Sequence, residues 1–179
     1  MKLLIIQTSP FHTASTFLIN AIYGLIPELN DKKIIGVWDD NFQDYFQEII
    51  CVKCHDINLD ELTRKYNKNL KLVFICSERK ELNLIIEEKY KKYANTVVFE
   101  FSELNETSIN STEQIVDNIH RKVRKMFDTV ELDKIVLDKS TCIQRINAMN
   151  VRYEEIKHKP FTYIDDFYEI HGSHRNRPK

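Results

Sequence analysis

The feature that most narrows the possible folds of this chain is an alternation. Short apolar runs are separated by longer stretches whose apolar residues fall at helical spacing. The runs are residues 3–6 (LLII), 33–38 (KIIGVW), 49–52 (IICV), 70–76 (LKLVFIC) and 96–101 (TVVFEF). Such runs suit strands buried on both faces. Between and after them, helices are expected over 15–26, 58–66, 80–93, 111–127 and 139–157. Pro27 stops the first of these. Asn58 with Glu61 opens the second, and Ser111 with Gln114 forms a capping box at the fourth. In the third, Leu82, Leu84, Ile85 and Ile86 supply the inner side; the last ends before Pro160. Strands alternating with helices imply right-handed βαβ crossovers. The expectation is a three-layer α/β domain with a mostly parallel sheet and helices on both faces. With 179 residues, 42% of them hydrophobic, the chain has material for one such core over 1–179.

Composition removes several function classes. Only Gly24, Gly36 and Gly172 occur, so neither a GxGxxG dinucleotide loop nor a GxxxxGK[ST] nucleotide loop can be written. The net charge of −1 argues against a strongly basic nucleic-acid binder, and no nucleic-acid partner is expected. No apolar run approaches the roughly 18 residues of a membrane span, so no membrane partner is expected either. The opening apolar run turns polar at Gln7 before a signal-peptide core forms. A cytoplasmic location follows as the expectation, with Cys51, Cys54, Cys76 and Cys142 as reduced thiols. Cys51 to His55 spells CxxCH, a haem-attachment and zinc half-site pattern, and His171 and His174 are the only further tempting pair. On a buried strand these cysteines read instead as small core residues, and no metal is expected.

In a parallel sheet, ligands bind beyond the carboxyl ends of the strands. That rule selects residues 7–14, 39–41, 53–56 and 77–80. The first loop, TSPFHTASTFL, enters a helix through Thr13, Ala14, Ser15 and Thr16. Free N–H groups at a helix start, with hydroxyls beside them, make an anion site. The same residues are also the signature of an ordinary Ser/Thr-capped helix. The second loop carries Lys53 and His55, two residues apart and aimed to one side if the strand continues. A histidine and a lysine suit proton removal and stabilisation of developing negative charge, while a surface lysine and a capping histidine is the plainer reading. The third loop, ICSERKEL, places Arg79 where a guanidinium can grip a phosphate. Finally HGSHRNRPK gathers Gly172, His174, Arg175, Arg177 and Lys179 in a basic tail.

In this order the loops resemble the sulfotransferase family that uses 3′-phosphoadenosine 5′-phosphosulfate (PAPS). SPFHTASTFL resembles the family's loop P-[KR]-[ST]-G-[ST]-T, with His12 at the basic position and Thr13, Ala14, Ser15 and Thr16 at the last four. Lys53-Cys54-His55 is similar to the family's K-[TS]-H, and VFICSER to the strand that delivers its 3′-phosphate arginine, here Arg79. The family's companion serine falls on Glu87, and Ser77 is the hydroxyl that would take its place. The resemblance implies a P-loop-like sulfotransferase fold and sulfuryl transfer from PAPS to a hydroxyl or amine of a small-molecule or glycan acceptor. It implies His55 as base and Lys53 and His12 as charge stabilisers. Thr13, Ala14, Ser15 and Thr16 would hold the 5′ end. Arg79, Ser77, Gly172 and Arg175 would hold the nucleotide's other end, with tail 171–179 folding over it. The product would be 3′,5′-bisphosphoadenosine, and no metal is needed. The alternative is a protein of the same fold that binds an anionic nucleotide or partner without turnover. A magnesium-dependent nucleotide kinase is a third reading, for which Asp39 and Asp40 are the only candidate metal ligands.

Overall fold

The computed structural model describes residues 2–10, 13–32, 34–36, 49–54, 60, 64, 70–105, 111–156, 162–165 and 168–171. Five strands form one sheet: β1 (Leu3–Thr8), β2 (Ile35–Gly36), β3 (Ile49–Cys54), β4 (Lys71–Glu78) and β5 (Thr96–Glu100). Their order is β2-β3-β1-β4-β5, and every neighbouring pair is parallel. The helices are α1 (Ser15–Leu25), α2 (Glu88–Lys91), α3 (Phe101–Leu104), α4 (Thr112–Thr129) and α5 (Lys139–Ile156). An antiparallel hairpin, β6 (Thr162–Asp165) with β7 (Tyr168–His171), follows them.

The period of two along β1 sorts its side chains between two cores. Leu3 and Ile5 join Cys51, Val73 and Ile75 under α1, α4 and α5. Leu4 and Ile6 join Val52, Phe74 and Cys76 on the other face, under Ile86 and Tyr90. The chain leaves β1 toward β2 over the first face and leaves β4 toward β5 over the second. Right-handed crossovers running in opposite directions across a sheet must lie on opposite faces, so the three layers follow from the strand order. All six residues of β1 are buried, as a central strand covered on both faces requires.

Local chemistry sets most of the boundaries. Ser111 Oγ accepts from the Gln114 N–H, and Gln114 Oε1 accepts from the Ser111 N–H at 2.9 Å, closing the expected capping box of α4. Pro27 ends α1 and opens a short 3-10 turn (Pro27–Leu29). Gly24 lets α1 and α5 cross closely: a Cβ there would stand 2.7 Å from the Cys142 Cα and 3.1 Å from the Arg145 Cβ. Gly24→Ala is therefore expected to destabilise, despite alanine's advantage of about 1 kcal/mol in a helix. Backbone cannot step aside as a side-chain end can, and overpacking costs about 1–3 kcal/mol. A fall of several degrees in Tm is the expected outcome, and an unchanged or higher Tm would mean the two helices sit further apart.

The expected helix over 80–93 does not form. Strand β4 runs on through Glu78, Arg79 bridges Leu84, and a single 3-10 turn (Lys80–Leu82) ends at Asn83, whose φ is 55°. Asparagine tolerates this left-handed conformation. The buried Glu78 carboxylate organises the excursion: it accepts from the Ile86 N–H at 3.3 Å and pairs with Lys91 at 2.8 Å. Burial pushes its pKa up, but the hydrogen bonds from Lys91 and the Ile86 N–H, with the charge of Lys80, hold it below the usual value. Only Glu88–Lys91 is helical; Ile86 and Tyr90 pack inward, while Leu82 and Ile85 remain exposed. The expected helix over 58–66 lies outside the described residues apart from Asp60 and Arg64, both helical. Of 33–38, only 34–36 are described.

Candidate functional site

Strand β1 lies between β3 and β4, and the connections out of β1 and β3 travel to opposite sides of it. The carboxyl end of β1 is thus the place where the winding reverses, the usual position for a ligand in an open α/β sheet. Three segments meet there: the loop into α1, the end of β3 and the end of β4.

The loop is tied down by hydroxyls. Thr13 is fully buried; its Oγ1 donates to the Pro10 carbonyl at 2.8 Å and lies 2.9 Å from Ser77 Oγ. Ser9 Oγ accepts from the Ser77 N–H at 2.8 Å and from Gln7 Nε2 at 2.7 Å. The resemblance assigns Thr13 to the 5′ end of the nucleotide and Ser77 to its other end, whereas here the two hydroxyls, 64 residues apart in sequence, meet each other. Gln7 and Ser9 complete the cluster. Sequence reading passed them over, although a serine directly after a strand that ends in Gln-Thr was the available signal. Gln7 Oε1 is buried without a hydrogen-bond partner among the described residues.

Helix α1 starts at this cluster without a side-chain cap. Its N-cap residue, Ala14, has φ 62° and ψ 29°, and the Ala14 carbonyl accepts from the Leu18 N–H at 3.0 Å. A left-handed residue here turns the chain sharply so that the first N–H groups of α1 face the loop. An L-residue in that region is strained by about 1–2 kcal/mol, which glycine escapes at an entropic cost of about 0.5–1 kcal/mol. Ala14→Gly is accordingly expected to raise stability by up to about 1 kcal/mol, or a few degrees in Tm. A lowered Tm would show that Ala14 does not hold this conformation in solution.

Lys53 lies within β3 rather than in a loop after it, because the strand continues to Cys54. Its register partner on β1 is Gln7. The side chain is 97% removed from solvent (relative exposure 3%), on the α1 face, and Nζ donates to Thr16 Oγ1 at 3.0 Å. An ammonium is thus held against the first turn of α1, next to Ser15, which is also buried. Buried charge is retained only where polar groups meet it, and here it adds a full positive charge to the partial charge of a helix start.

Arg79 is occupied elsewhere. Its Nε donates to Glu81 Oε1 at 2.6 Å, and its guanidinium lies 4.1 Å above the Phe101 ring, at the β4–β5 side of the sheet end. His12, His55, Gly172 and Arg175, together with Asp39, Asp40 and His174, lie outside the described residues. So does the tail beyond His171, which leaves a hairpin strand that comes close to α1.

The strand geometry of β3 also bears on CxxC. Cys51 belongs to the core under α1 and Cys54 to the opposite core, so the two thiols point through opposite faces and cannot share a metal or a disulfide. Burial pushes both thiols far above their ordinary pKa, and burial with the neighbouring Glu78 charge pushes Cys76 up to about 12. These are inert thiols. Among the described residues no group of three His, Cys, Asp or Glu side chains could hold a metal ion. No helix among them is long and apolar enough to cross a membrane. Compared with known proteins, the chain matches no family model, and no curated protein is significantly similar to it.

Proposed function

We propose that this protein moves a sulfuryl group from PAPS to a hydroxyl or amine, on a P-loop-like variant of the parallel α/β fold. The observation that carries the reading is the meeting of an uncapped helix start and the Lys53 ammonium on Thr16, at the carboxyl end of the central strand. Both favour an oxyanion at one point. The strand order supports it by exclusion: it differs from the 3-2-1-4-5-6 dinucleotide order and from the 2-1-3-4-5 flavodoxin-like order. In the proposed reaction His55 takes the acceptor's proton as the new bond to sulfur forms. The bond from sulfur to the 5′-phosphate oxygen breaks, and 3′,5′-bisphosphoadenosine leaves. Lys53, with His12, stabilises the charge that develops on the transferring group and on the leaving phosphate. Thr13, Ala14, Ser15 and Thr16 cradle the 5′ end, and Arg175 with Gly172 closes over the nucleotide.

A second reading is binding of an anionic nucleotide at the same place without turnover. In either reading the Arg79 guanidinium already holds Glu81 and Phe101, so a 3′-phosphate must displace the carboxylate to be gripped. Thermal-shift titration with 3′,5′-bisphosphoadenosine, run beside ATP with magnesium, tests both. A ligand at about 100 times its Kd adds about 2.7 kcal/mol, a rise of several degrees for a chain of this length. A rise with the bisphosphate alone is the expected result, and transfer to an acceptor then separates the two readings. A rise with ATP and magnesium alone would replace both with a kinase, and no rise with either would remove the nucleotide.

A further inference from the structure

The outward face of α4 carries a second concentration of charge, remote from the end of the sheet just described. Lys71, at the amino end of β4, donates to the Val130 carbonyl at 2.7 Å, which fixes the end of α4 at the opposite end of the strands from the α1 start. The inner face of α4 is apolar: Ile115, Val116, Ile119, Val123, Met126 and Phe127 are buried. From the run HRKVRK at residues 120–125, its outer face carries His120, Arg121, Arg124 and Lys125. His120, Arg121, Arg124, Lys125, Asp128 and Thr129, all on this one helix, border a shallow, open groove of about 620 Å³. Residues four apart on a helix stand about 5–6 Å from one another. The rows His120–Arg124 and Arg121–Lys125 therefore present four nitrogen-bearing side chains to one volume.

Arg124 is fixed in place. Its guanidinium donates to the Asp133 carbonyl at 3.1 Å and to the Ile135 carbonyl, and Asp128 lies 3.8 Å away. Arg121 donates to Asn118 at 2.8 Å. At the upper end, Lys139 of α5 pairs with Asp117 at 2.8 Å. Three cations and one carboxylate thus line the groove of a chain whose net charge is −1. We propose that this groove is a second anion site, taking a small anion with at least two phosphate-type charges. Such an anion is complementary to one anchored guanidinium flanked by further cations, and the aliphatic stems of Arg and Lys form the floor beneath it.

His120 makes the site sensitive to pH. Burial, Lys139 and Arg124 lower its pKa from the ordinary 6.5, against the opposing pull of Asp117. A bound anion reverses that balance and draws a proton onto the imidazole, so binding strengthens as pH falls. Each unit by which the anion raises the His120 pKa gives up to about tenfold tighter binding at low pH.

The probe is inorganic pyrophosphate without metal, titrated calorimetrically at pH 6 and pH 8. The His120 ring proton is followed by NMR in the same samples. An upward shift of the His120 titration on adding pyrophosphate is the expected result. Pyrophosphate can also enter the α1 site, so the groove is read through the His120 resonance. Arg121→Ala with Lys125→Ala changes two exposed side chains and is expected to abolish the pyrophosphate-induced shift of His120, while Tm and bisphosphate binding at the α1 site hold. A His120 resonance that pyrophosphate does not move, or a shift that survives Arg121→Ala with Lys125→Ala, overturns the proposal. A His120 titration that pyrophosphate leaves in place overturns the role of His120.

Discussion

Lys53→Met is expected to remove most of the affinity for 3′,5′-bisphosphoadenosine while the protein stays folded. Lys53 is a buried ammonium that donates to Thr16 Oγ1 at 3.0 Å, at the first turn of α1. Methionine fills a similar volume and removes the charge. A charge-assisted hydrogen bond to a ligand oxyanion contributes about 1.5–3 kcal/mol, so its loss weakens binding by about 10- to 150-fold. Thermal unfolding and a bisphosphate titration on the same variant check both halves. A variant that loses stability and keeps affinity would make Lys53 a structural residue and nothing more.

His55→Ala is expected to lower turnover by about 10²–10⁴ with little change in bisphosphate affinity, the range for loss of a general base. The split matters because Lys53 and His55 are neighbours in sequence with different assigned tasks. The lysine holds an anion in both ground and transition states, whereas the histidine acts only while a proton moves. Transfer rates at saturating PAPS, across a series of pH values, report the histidine; its variant should lose the acid limb of the profile. An unchanged rate would remove His55 from the reaction and leave the binding-only reading.

Much of the fold could be read locally. The six buried residues of β1 and the apolar run of β4 announce central strands, since only a strand covered on both faces gathers such a run. The capping box at Ser111 and Gln114 sets the start of α4 within four residues of chain. The opposite faces of Cys51 and Cys54 follow from a period of two once β3 is known to reach Cys54. The candidate site was legible only in part. Lys53, Thr13, Ser15, Thr16 and Ser77 stand out by residue type and by their place at strand ends. Gln7 and Ser9 carry only a weak local mark, a serine directly after a strand that ends in Gln-Thr.

Sequence alone therefore determined the alternation of strands and helices, the two-sided burial of the sheet and the absence of a glycine-rich nucleotide loop. These depend on periodicity and composition, which act over a few residues. Tertiary structure decided the rest. Residues 80–93 have the composition of a helix, but the buried Glu78 carboxylate draws in Lys91 and the Ile86 N–H and folds the segment into a turn. Ala14 gives no sign in sequence of its positive φ; the conformation occurs where the chain passes from β1 over the sheet into α1. Thr13 meets Ser77 across 64 residues only because β1 and β4 are neighbours in the sheet. A hydrogen bond between distant residues is bounded by which strands lie side by side, and the pairing of strands is a property of the whole chain.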